Sequence, residues 1–397
     1  MEVLHVVELC KAPITLENVD WGDNDKRKEI KPQSPTTTLP CLTLESGKIS
    51  QSKAIEAYLA ETYKPELLGG NPFEKAQVLQ WMHFAMAEIY SCTTSIIYPI
   101  FGWKPACKEA MDDANKRIKD YIKVLETHLA GKKYFVGEKM TLADVVMFFH
   151  LRYYFQFCWV EGMRKNMLKN TTAWFTGIME TEEAKKAYGR TLLCKCPLKA
   201  PAPEKKEDKK EEKKPEKKKE KKEEDGEEEA PKETKKVNPL DLLPPSAMNL
   251  EAFKRAFLNN KDKEDAMNKF WAEYDPNGYS IWRLEYDLPA TEGKILYRTS
   301  NAKGFFLQKM DSFRKYVFAV HGVYGVDGDY KIRGCWMWRG TEIPEMLKEN
   351  DYYDYLAITK LDPNKPEDKA MIHDYWTKLN ENDEVEGRKC ADCEYFN

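Results

Sequence analysis

One stretch divides the chain. Residues 204–236, EKKEDKKEEKKPEKKKEKKEEDGEEEAPKETKK, carry 28 charged side chains in 33 positions, 14 basic and 14 acidic, so their net charge is zero. No apolar side chain larger than alanine occurs there, and nothing offsets the entropy that ordering would cost. We therefore predict a disordered Lys/Glu linker over residues 199–237, with a folded region on either side.

The linker allows two interpretations. It is typical of a solvated spacer, which would span roughly 110 Å if fully extended at ~3.4 Å per residue. Its lysine-rich block, 213–222, also precedes an acidic block, 223–229, an arrangement that would permit weak contact with RNA or a membrane surface. The whole chain has a net charge of −3, which gives no global attraction to nucleic acid.

The sequence lacks the patterns that are typical of membrane-spanning, secreted, disulfide-linked and zinc-binding proteins. No segment approaches ~20 uninterrupted apolar residues, and the N-terminus, MEVLHVVELC, lacks the basic and then apolar order of a signal peptide. We expect a cytoplasmic protein. Its ten cysteines do not form a disulfide framework. The single Cys-x-x-Cys, at Cys390 and Cys393, has no second pair to complete a zinc site, so we predict reduced thiols and no metal.

Residues 1–70 have the pattern of an α/β unit. We predict a first strand at Val3–Leu9 and a second at about Ile14–Val19, with four residues between them. A crossover between parallel strands needs at least ~10–12 residues. The first helix of this unit is therefore expected to be shortened or missing.

Residues 71–198 are predicted to be all-helical. Asn71 and Pro72 form a good helix start, and apolar residues follow at helical spacing. Thr141-x-x-Asp144 is a variant capping box. The helix that follows this box is apolar almost all round, so we place it at the centre of a bundle. The aromatic-rich faces around Trp81 and Trp159 are candidate dimer or partner surfaces, with core burial the favoured interpretation for each residue.

Residues 238–397 alternate as strands do. In SIWRLEYDL and YKIRGCWMWRG, one face carries Trp, Leu, Tyr or Ile. The opposite face carries charged residues in the first stretch and Arg333, Cys335, Met337 and Arg339 in the second. Half-buried strands of this kind suit an antiparallel sheet with helices on one side, so we predict an α+β domain. The face that carries Arg333 and Arg339 is the candidate surface for a peptide or RNA.

Two stretches resemble glutathione transferases. TLPCLTLESGKISQSKAIEAYL, residues 38–59, resembles their glutathione-binding half: a strand, the family's cis-proline, a hairpin, and a Gln-Ser pair that starts a helix. FVGEKMTLADVVMFFHL resembles the capped core helix of their helical domain. The resemblance implies a thioredoxin-like subdomain over residues 1–70 and a glutathione transferase C-terminal bundle over residues 71–198.

Four further stretches resemble the C-terminal domain of the gamma subunits of eukaryotic translation elongation factor 1. They are NPLDLLPPSAMNLEAFKRAFLNN, FWAEYDPNGYSIWRLEYDLP, GFFLQKMDSFRKYVFAVHGVYG and RGCWMWRG. The resemblance implies that residues 238–397 are this domain and that the chain is a non-catalytic scaffold. In that family the scaffold binds the guanine-nucleotide exchange subunit and, through it, the GTPase alpha subunit. Self-association is a further expectation.

The resemblance also implies a glutathione site. The backbone of Leu39, before Pro40, would pair with the peptide part of glutathione. Gln51 and Ser52 would meet its γ-glutamyl carboxylate, because a helix start favours an anion. A second interpretation remains open, in which Pro40 only fixes a turn and Ser52 only caps a helix.

Catalysis would need a Tyr, Ser or Cys just after the first strand to activate the glutathione thiol. Cys10 is the one side chain of suitable chemistry there. It matches no complete motif, and we interpret it as an ordinary thiol. We therefore predict no catalytic residue and no cofactor, with glutathione the one ligand implied and residual transferase activity the alternative function.

Overall fold

The computed structural model describes residues 1–17, 19, 25, 39–198, 238–289 and 292–397. The predicted linker at 199–237 lies outside these residues. We call residues 1–198 the N-terminal region and residues 238–397 the C-terminal region. Apolar side chains form one core in the N-terminal region and two in the C-terminal region.

The described part of the N-terminal region is mainly helical. Its helices are α1 (Glu2–Cys10), α2 (Ser52–Tyr63), α3 (Pro72–Phe84), α4 (Tyr90–Ile100), α5 (Lys108–His128), α6 (Leu142–Phe157), α7 (Glu161–Met167), α8 (Lys169–Met179) and α9 (Glu182–Tyr188). A π-helical turn, Ala85–Ile89, joins α3 to α4, and a 3-10 turn covers Pro65–Leu68. Strands β1 (Cys41–Leu44) and β2 (Gly47–Ser50) form an antiparallel hairpin.

Helix α1 corrects the sequence analysis. It covers Val3–Leu9, so the predicted first strand is wrong, and the inference of a shortened first helix loses its basis. Residues 14–17 of the predicted second strand are not in a strand either. The short apolar run fits both the two-residue period of a strand and the 3.6-residue period of a helix. Its packing against α2 and α9 stabilises the helix.

Helix α6 confirms the predicted centre of the bundle. Thr141 and Asp144 close a capping box at its start, and nearly every residue of α6 is buried. The Asp144 carboxylate accepts hydrogen bonds from the N–H groups of Phe135 and Thr141, both at 2.9 Å. It also accepts the Thr141 hydroxyl at 3.1 Å and the Trp174 indole N–H at 2.9 Å. One buried carboxylate thus joins α6, α8 and the preceding loop.

The C-terminal region combines helices with a six-stranded sheet. The helices are α10 (Leu250–Asn259), α11 (Lys263–Glu273), α12 (Leu296–Met310) and α13 (Pro366–Thr377), with 3-10 turns at Pro239–Leu242, Asp311–Tyr316, Glu345–Glu349 and Tyr353–Tyr355. The strands are β3 (Tyr279–Tyr286), β4 (Val317–Val326), β5 (Asp329–Arg339), β6 (Leu356–Leu361), β7 (Glu384–Val385) and β8 (Arg388–Phe396). Paired antiparallel, they lie in the order β6-β3-β5-β4-β8-β7.

Both faces of this sheet are covered. Trp336 and Trp338 pack on one face with Phe306 of α12. Phe318 and Met337 pack on the other with aromatic residues of α10, α11 and α13. The assignment of residues to faces is confirmed, whereas the prediction of helices on one side only is wrong.

The arginines of the predicted interaction face are engaged within the region. Arg283 pairs with Glu285 at 2.7 Å and with Glu386 at 3.0 Å. Arg333 pairs with the same two carboxylates, at 3.1 and 3.4 Å. Arg339 donates to the carbonyls of Gly278 and Pro244. These arginines are therefore largely paired with carboxylates and carbonyl groups of the C-terminal region.

The two regions contact each other through buried polar groups. Lys309 on α12 pairs with Asp351, with 2.6 Å between Nζ and Oδ2, and the two side chains are 3% and 1% exposed. Lys309 also donates to the carbonyl of Cys196 at 3.0 Å. Asp351 accepts the N–H of Lys195 at 2.6 Å. The end of the N-terminal region is thereby fastened to the C-terminal region.

Candidate functional site

The β1–β2 hairpin brings the predicted glutathione residues together. Its register pairs the first residue of β1 with the last residue of β2, so Pro40 and Gln51 follow as neighbours across the hairpin. The Leu39–Pro40 peptide bond is cis. Ser52 is the first residue of α2. All four residues therefore lie at one corner of the N-terminal region.

The backbone at this corner has an uncommon conformation. Gln51 has a φ of 74°, in the left-handed region that non-glycine residues rarely adopt. It is the N-cap residue of α2, and its carbonyl accepts the N–H groups of Ala54 and Ile55 at 3.1 Å. The interpretation of Ser52 as the cap is therefore wrong by one position. Ser52 instead contributes a first-turn N–H, of the kind that suits an anionic ligand.

A buried charged cluster lies behind the corner. Lys53 forms ion pairs with Glu2 and, at 3.1 Å, with Glu56. Burial raises the pKa of both carboxyls, and Glu2 raises that of Glu56 further. Two acids thus share one lysine in an apolar setting, and the charge of Lys53 is already paired. Sequence reasoning missed this cluster because Glu2 directly precedes the segment predicted as a strand, and no helix was expected to bring it beside Lys53 and Glu56.

Cys10 is placed where its thiol is not activated. It is the last residue of α1 rather than part of a connection between strands. Burial raises the pKa of the thiol, and Glu66 acts in the same direction, while Lys64 opposes them. A thiol with a raised pKa stays protonated at neutral pH and is a poor nucleophile. The electrostatics are the opposite of those that transferase chemistry requires.

Comparison with known proteins extends over both regions. The model of the family described as "Elongation factor 1 gamma, conserved domain" matches residues 235–342, and that of the glutathione S-transferase C-terminal domain matches residues 89–182. The chain is 34% identical over 390 residues to elongation factor 1-gamma 1 of Oryza sativa subsp. japonica, across 93% of this chain and 90% of that relative. The chain belongs to the elongation factor 1-gamma family. Elongation factor 1-gamma of Artemia salina is 32% identical over 383 residues, across 90% and 87% of the two chains.

Among solved structures, the GST-like domain of elongation factor 1-gamma from Saccharomyces cerevisiae is similar, with 20% identity and a TM-score of 0.46. The similarity extends over 51% of this chain and 93% of that domain. The predicted fold class is confirmed: a glutathione transferase-like N-terminal region with its helical bundle, then a C-terminal region built on an antiparallel sheet.

Membership of the elongation factor 1-gamma family makes the chain a subunit of a translation elongation factor, with a glutathione transferase-like domain. Within the described ranges, every helix is too short or too polar to span a membrane.

Proposed function

We propose that this chain is the scaffold subunit of the translation elongation factor 1 exchange complex and has no catalytic activity of its own. Residues 1–195 bind and anchor the guanine-nucleotide exchange subunit, which recharges the GTPase alpha subunit that delivers aminoacyl-tRNA. The role implies a cytoplasmic location. The observation that carries the proposal is the relationship to elongation factor 1-gamma along both folded regions, in the same order.

The proposal uses four segments: a thioredoxin-like subdomain (1–70), a helical subdomain (71–198), a linker (199–237) and the C-terminal domain (238–397). The side chains of Trp81 and Trp159 are 6% and 4% exposed, which confirms them as core residues. The surface that binds the exchange subunit therefore uses other side chains of the N-terminal region.

Co-purification tests the scaffold role. The full chain, tagged at its C-terminus, is isolated from extract of its own cells at moderate salt, and bound proteins are identified by mass spectrometry. We expect the exchange subunit and the GTPase in a stable complex of defined stoichiometry. A matched chain without residues 204–236 should retain both, because binding is assigned to residues 1–195. Recovery of neither protein with the full chain would contradict the proposal.

A second candidate function is glutathione binding with residual transferase activity. The position of Leu39 and Pro40 across the hairpin from Gln51 and Ser52 supports it. Calorimetry of the full chain with glutathione measures the affinity, and Gln51→Ala should abolish any binding at this corner. Conjugation to chlorodinitrobenzene should not exceed the uncatalysed rate. A rate above background that disappears in Cys10→Ser would overturn the non-catalytic assignment.

Contact with RNA or with a membrane surface is a further proposal, and it is assigned to the linker alone. The lysine-rich block at 213–222 supports it. Binding of the full chain to RNA or anionic vesicles should be weak, should weaken further with salt, and should disappear when residues 204–236 are deleted. Binding that survives the deletion would place the contact elsewhere.

A further inference from the structure

A cavity of about 160 Å³ lies between the two regions. The N-terminal region lines it with Arg152 and Gln156 of α6 and with Tyr188 at the end of α9. The C-terminal region lines it with Glu292 and with Arg298 of α12. Neither Cys10 nor any residue of the predicted glutathione corner lines it, so it is a separate place in the molecule.

The lining contains buried polar atoms that have no hydrogen-bond partner. They are Nε of Arg152, Oε1 of Gln156 and the hydroxyl of Tyr188. These three residues are 4%, 6% and 7% exposed. Buried polar groups in proteins are almost always paired, and three unpaired groups around one cavity point to a partner. Because Nε of Arg152 donates and Oε1 of Gln156 accepts, that partner must carry both an acceptor and a donor.

Two arginines line the cavity, one from each region. Among the described residues, no carboxylate lies within ion-pair distance of Arg152 or Arg298. Arg152 lies over the ring of Tyr188, 5.0 Å from its centroid, and Arg298 donates to the carbonyl of Lys186 at 3.1 Å. Burial lowers the pKa of the amino group of Met1, another lining residue, and the charges of Arg152 and Arg298 lower it further, so both guanidinium groups act on the same part of the cavity.

The other charged side chains of the lining have partners. Glu292 accepts the backbone N–H of Arg190, and burial raises the pKa of its carboxyl, while Arg190 opposes that shift. The guanidinium of Arg190 donates to the carbonyl of Asp287 at 2.7 Å. Lys186 forms an ion pair with Glu8 at 3.8 Å. Lys294, the remaining charged side chain of the lining, is exposed and donates to the carbonyl of Gly328 at 3.0 Å. Arg152 and Arg298 are therefore the arginines of the lining that have no carboxylate partner among the described residues.

We propose that this cavity binds a small oxyanion, through a phosphate or carboxylate group held between Arg152 and Arg298. A guanidinium matches either group with two parallel hydrogen bonds. The side-chain amide of Gln156 and the hydroxyl of Tyr188 are placed to complete the shell. The volume suits a free anion or a small metabolite and excludes a macromolecule.

The bound anion would link the two regions, because Arg152 belongs to one and Arg298 to the other. It would add to the link already made by Lys309 and Asp351. The ligand site is independent of the scaffold role proposed above, since neither the exchange subunit nor the linker takes part in it.

Calorimetry of the full chain with inorganic phosphate, and separately with malonate, at constant ionic strength tests the proposal. We expect one site per chain for at least one of the two anions, and the anion that binds identifies the group recognised. Arg152→Gln and Arg298→Gln should each weaken binding at least tenfold, whereas Arg298→Lys should weaken it less. Arg255→Gln, at an exposed position on α10, is the matched control and should leave the affinity unchanged.

No binding of either anion by the unaltered chain at millimolar concentration would overturn the proposal. So would equal affinities in the unaltered chain and both glutamine variants. Arg152 is buried, so circular dichroism and the thermal midpoint are recorded to confirm that its variant is folded. Arg298 is only half-buried and lies in the other region, so its variant tests the site even if Arg152→Gln fails to fold.

Discussion

The two folded regions bury polar groups in different ways. In the N-terminal region, carboxyl groups lie inside the fold: Asp144 at the start of α6, and Glu2 and Glu56 beside the glutathione-like corner. In the C-terminal region, the sheet is enclosed by aromatic side chains such as Trp336, and His321 is the ionisable residue packed among them. The start of α6 depends on complete hydrogen bonding to Asp144, whereas the sheet core around Trp336 depends on filled volume.

This difference indicates which buried groups can be substituted in each region. Asp144 is buried with four donors directed at it, an arrangement that compensates for the loss of water. Glu2 and Glu56 share one lysine, and burial raises the pKa of both carboxyls although Lys53 opposes the shift. The less compensated cluster lies beside the corner where the resemblance places a ligand, whereas the fully compensated carboxylate lies at the structural centre.

The largest effect is expected from Trp336→Ala. This residue is fully buried, contacts the rings of Trp338, Phe306 and Phe396, and donates its indole N–H to Nδ1 of His321 at 3.1 Å. Loss of the ring leaves a cavity and an unpaired histidine, so the free energy of unfolding should fall by about 4–5 kcal/mol. Urea unfolding measured by circular dichroism tests this.

Phe73→Ala is the control for that measurement, because the side chain is 71% exposed and its removal should leave the urea midpoint nearly unchanged. A loss below about 1 kcal/mol in Trp336→Ala would show that the sheet core can collapse around the gap. The contrast between volume and hydrogen bonding would then not hold.

Trp336 also shows how far sequence reasoning reaches. Alternation at period two assigns Trp336 and Trp338 to one face of β5, and the structure agrees. The same alternation suggests an open face on the other side, because Arg283 and Arg333 are polar. Their burial depends on Glu386, which is distant in sequence, and on helices that cover the second face. The alternation of apolar and polar residues within one strand contains no information about contacts with residues that are distant in sequence.

The N-terminal region shows the complementary limit. The run Val3–Leu9 is short enough to satisfy both strand and helix patterns, and its helical state follows from contacts with α2 and α9. Local signals succeed where the chemistry is local, as in the capping box of Thr141 and Asp144. The corner at Pro40 and Gln51 is implied by resemblance, and no local pattern would reveal its φ of 74° at Gln51.

An intermediate effect is expected from Asp144→Ala. The substitution leaves the N–H groups of Phe135 and Thr141 and the indole of Trp174 without their acceptor in a dry interior. We expect a loss of about 3 kcal/mol in the free energy of unfolding of the N-terminal region, since charged hydrogen bonds are each worth about 1.5–3 kcal/mol and the effects overlap. Asp144→Asn, which keeps one acceptor oxygen, should lose less.

Hydrogen exchange of the α6 amides, recorded as the temperature is raised, measures the stability of the N-terminal region in each Asp144 variant. Asp120→Ala, on the exposed face of α5, is the control and should not change α6 protection. Equal losses in the alanine and asparagine variants would mean that packing, rather than hydrogen bonding, sets the stability of this region. The comparison between the two regions would then have to be abandoned.

The smallest effect concerns pH. Burial lowers the pKa of His321 from 6.5 to about 3, so folding keeps this side chain neutral. A group of this kind contributes stability that is complete above about pH 6.5 and is lost as the pH falls towards 3. In the N-terminal region, His5 and His150 act in the same direction, with pKa values lowered to about 3. Asp144, with a pKa raised to about 6, and Glu56 act in the opposite direction.

Between about pH 6.5 and about pH 5, His321 should therefore remove about 2 kcal/mol from the C-terminal region, at about 1.4 kcal/mol per pH unit. The opposing shifts should leave the N-terminal region nearly unchanged. Hydrogen exchange corrected for intrinsic rates, compared between β4 and α6, measures both in the same full chain. His321→Gln keeps an acceptor for Trp336 but cannot titrate, so it should remove the pH dependence of β4, whereas His83→Gln, at an exposed position on α3, should not. Equal loss of protection in β4 and α6 on acidification would show that the buried carboxyls do not offset the histidines.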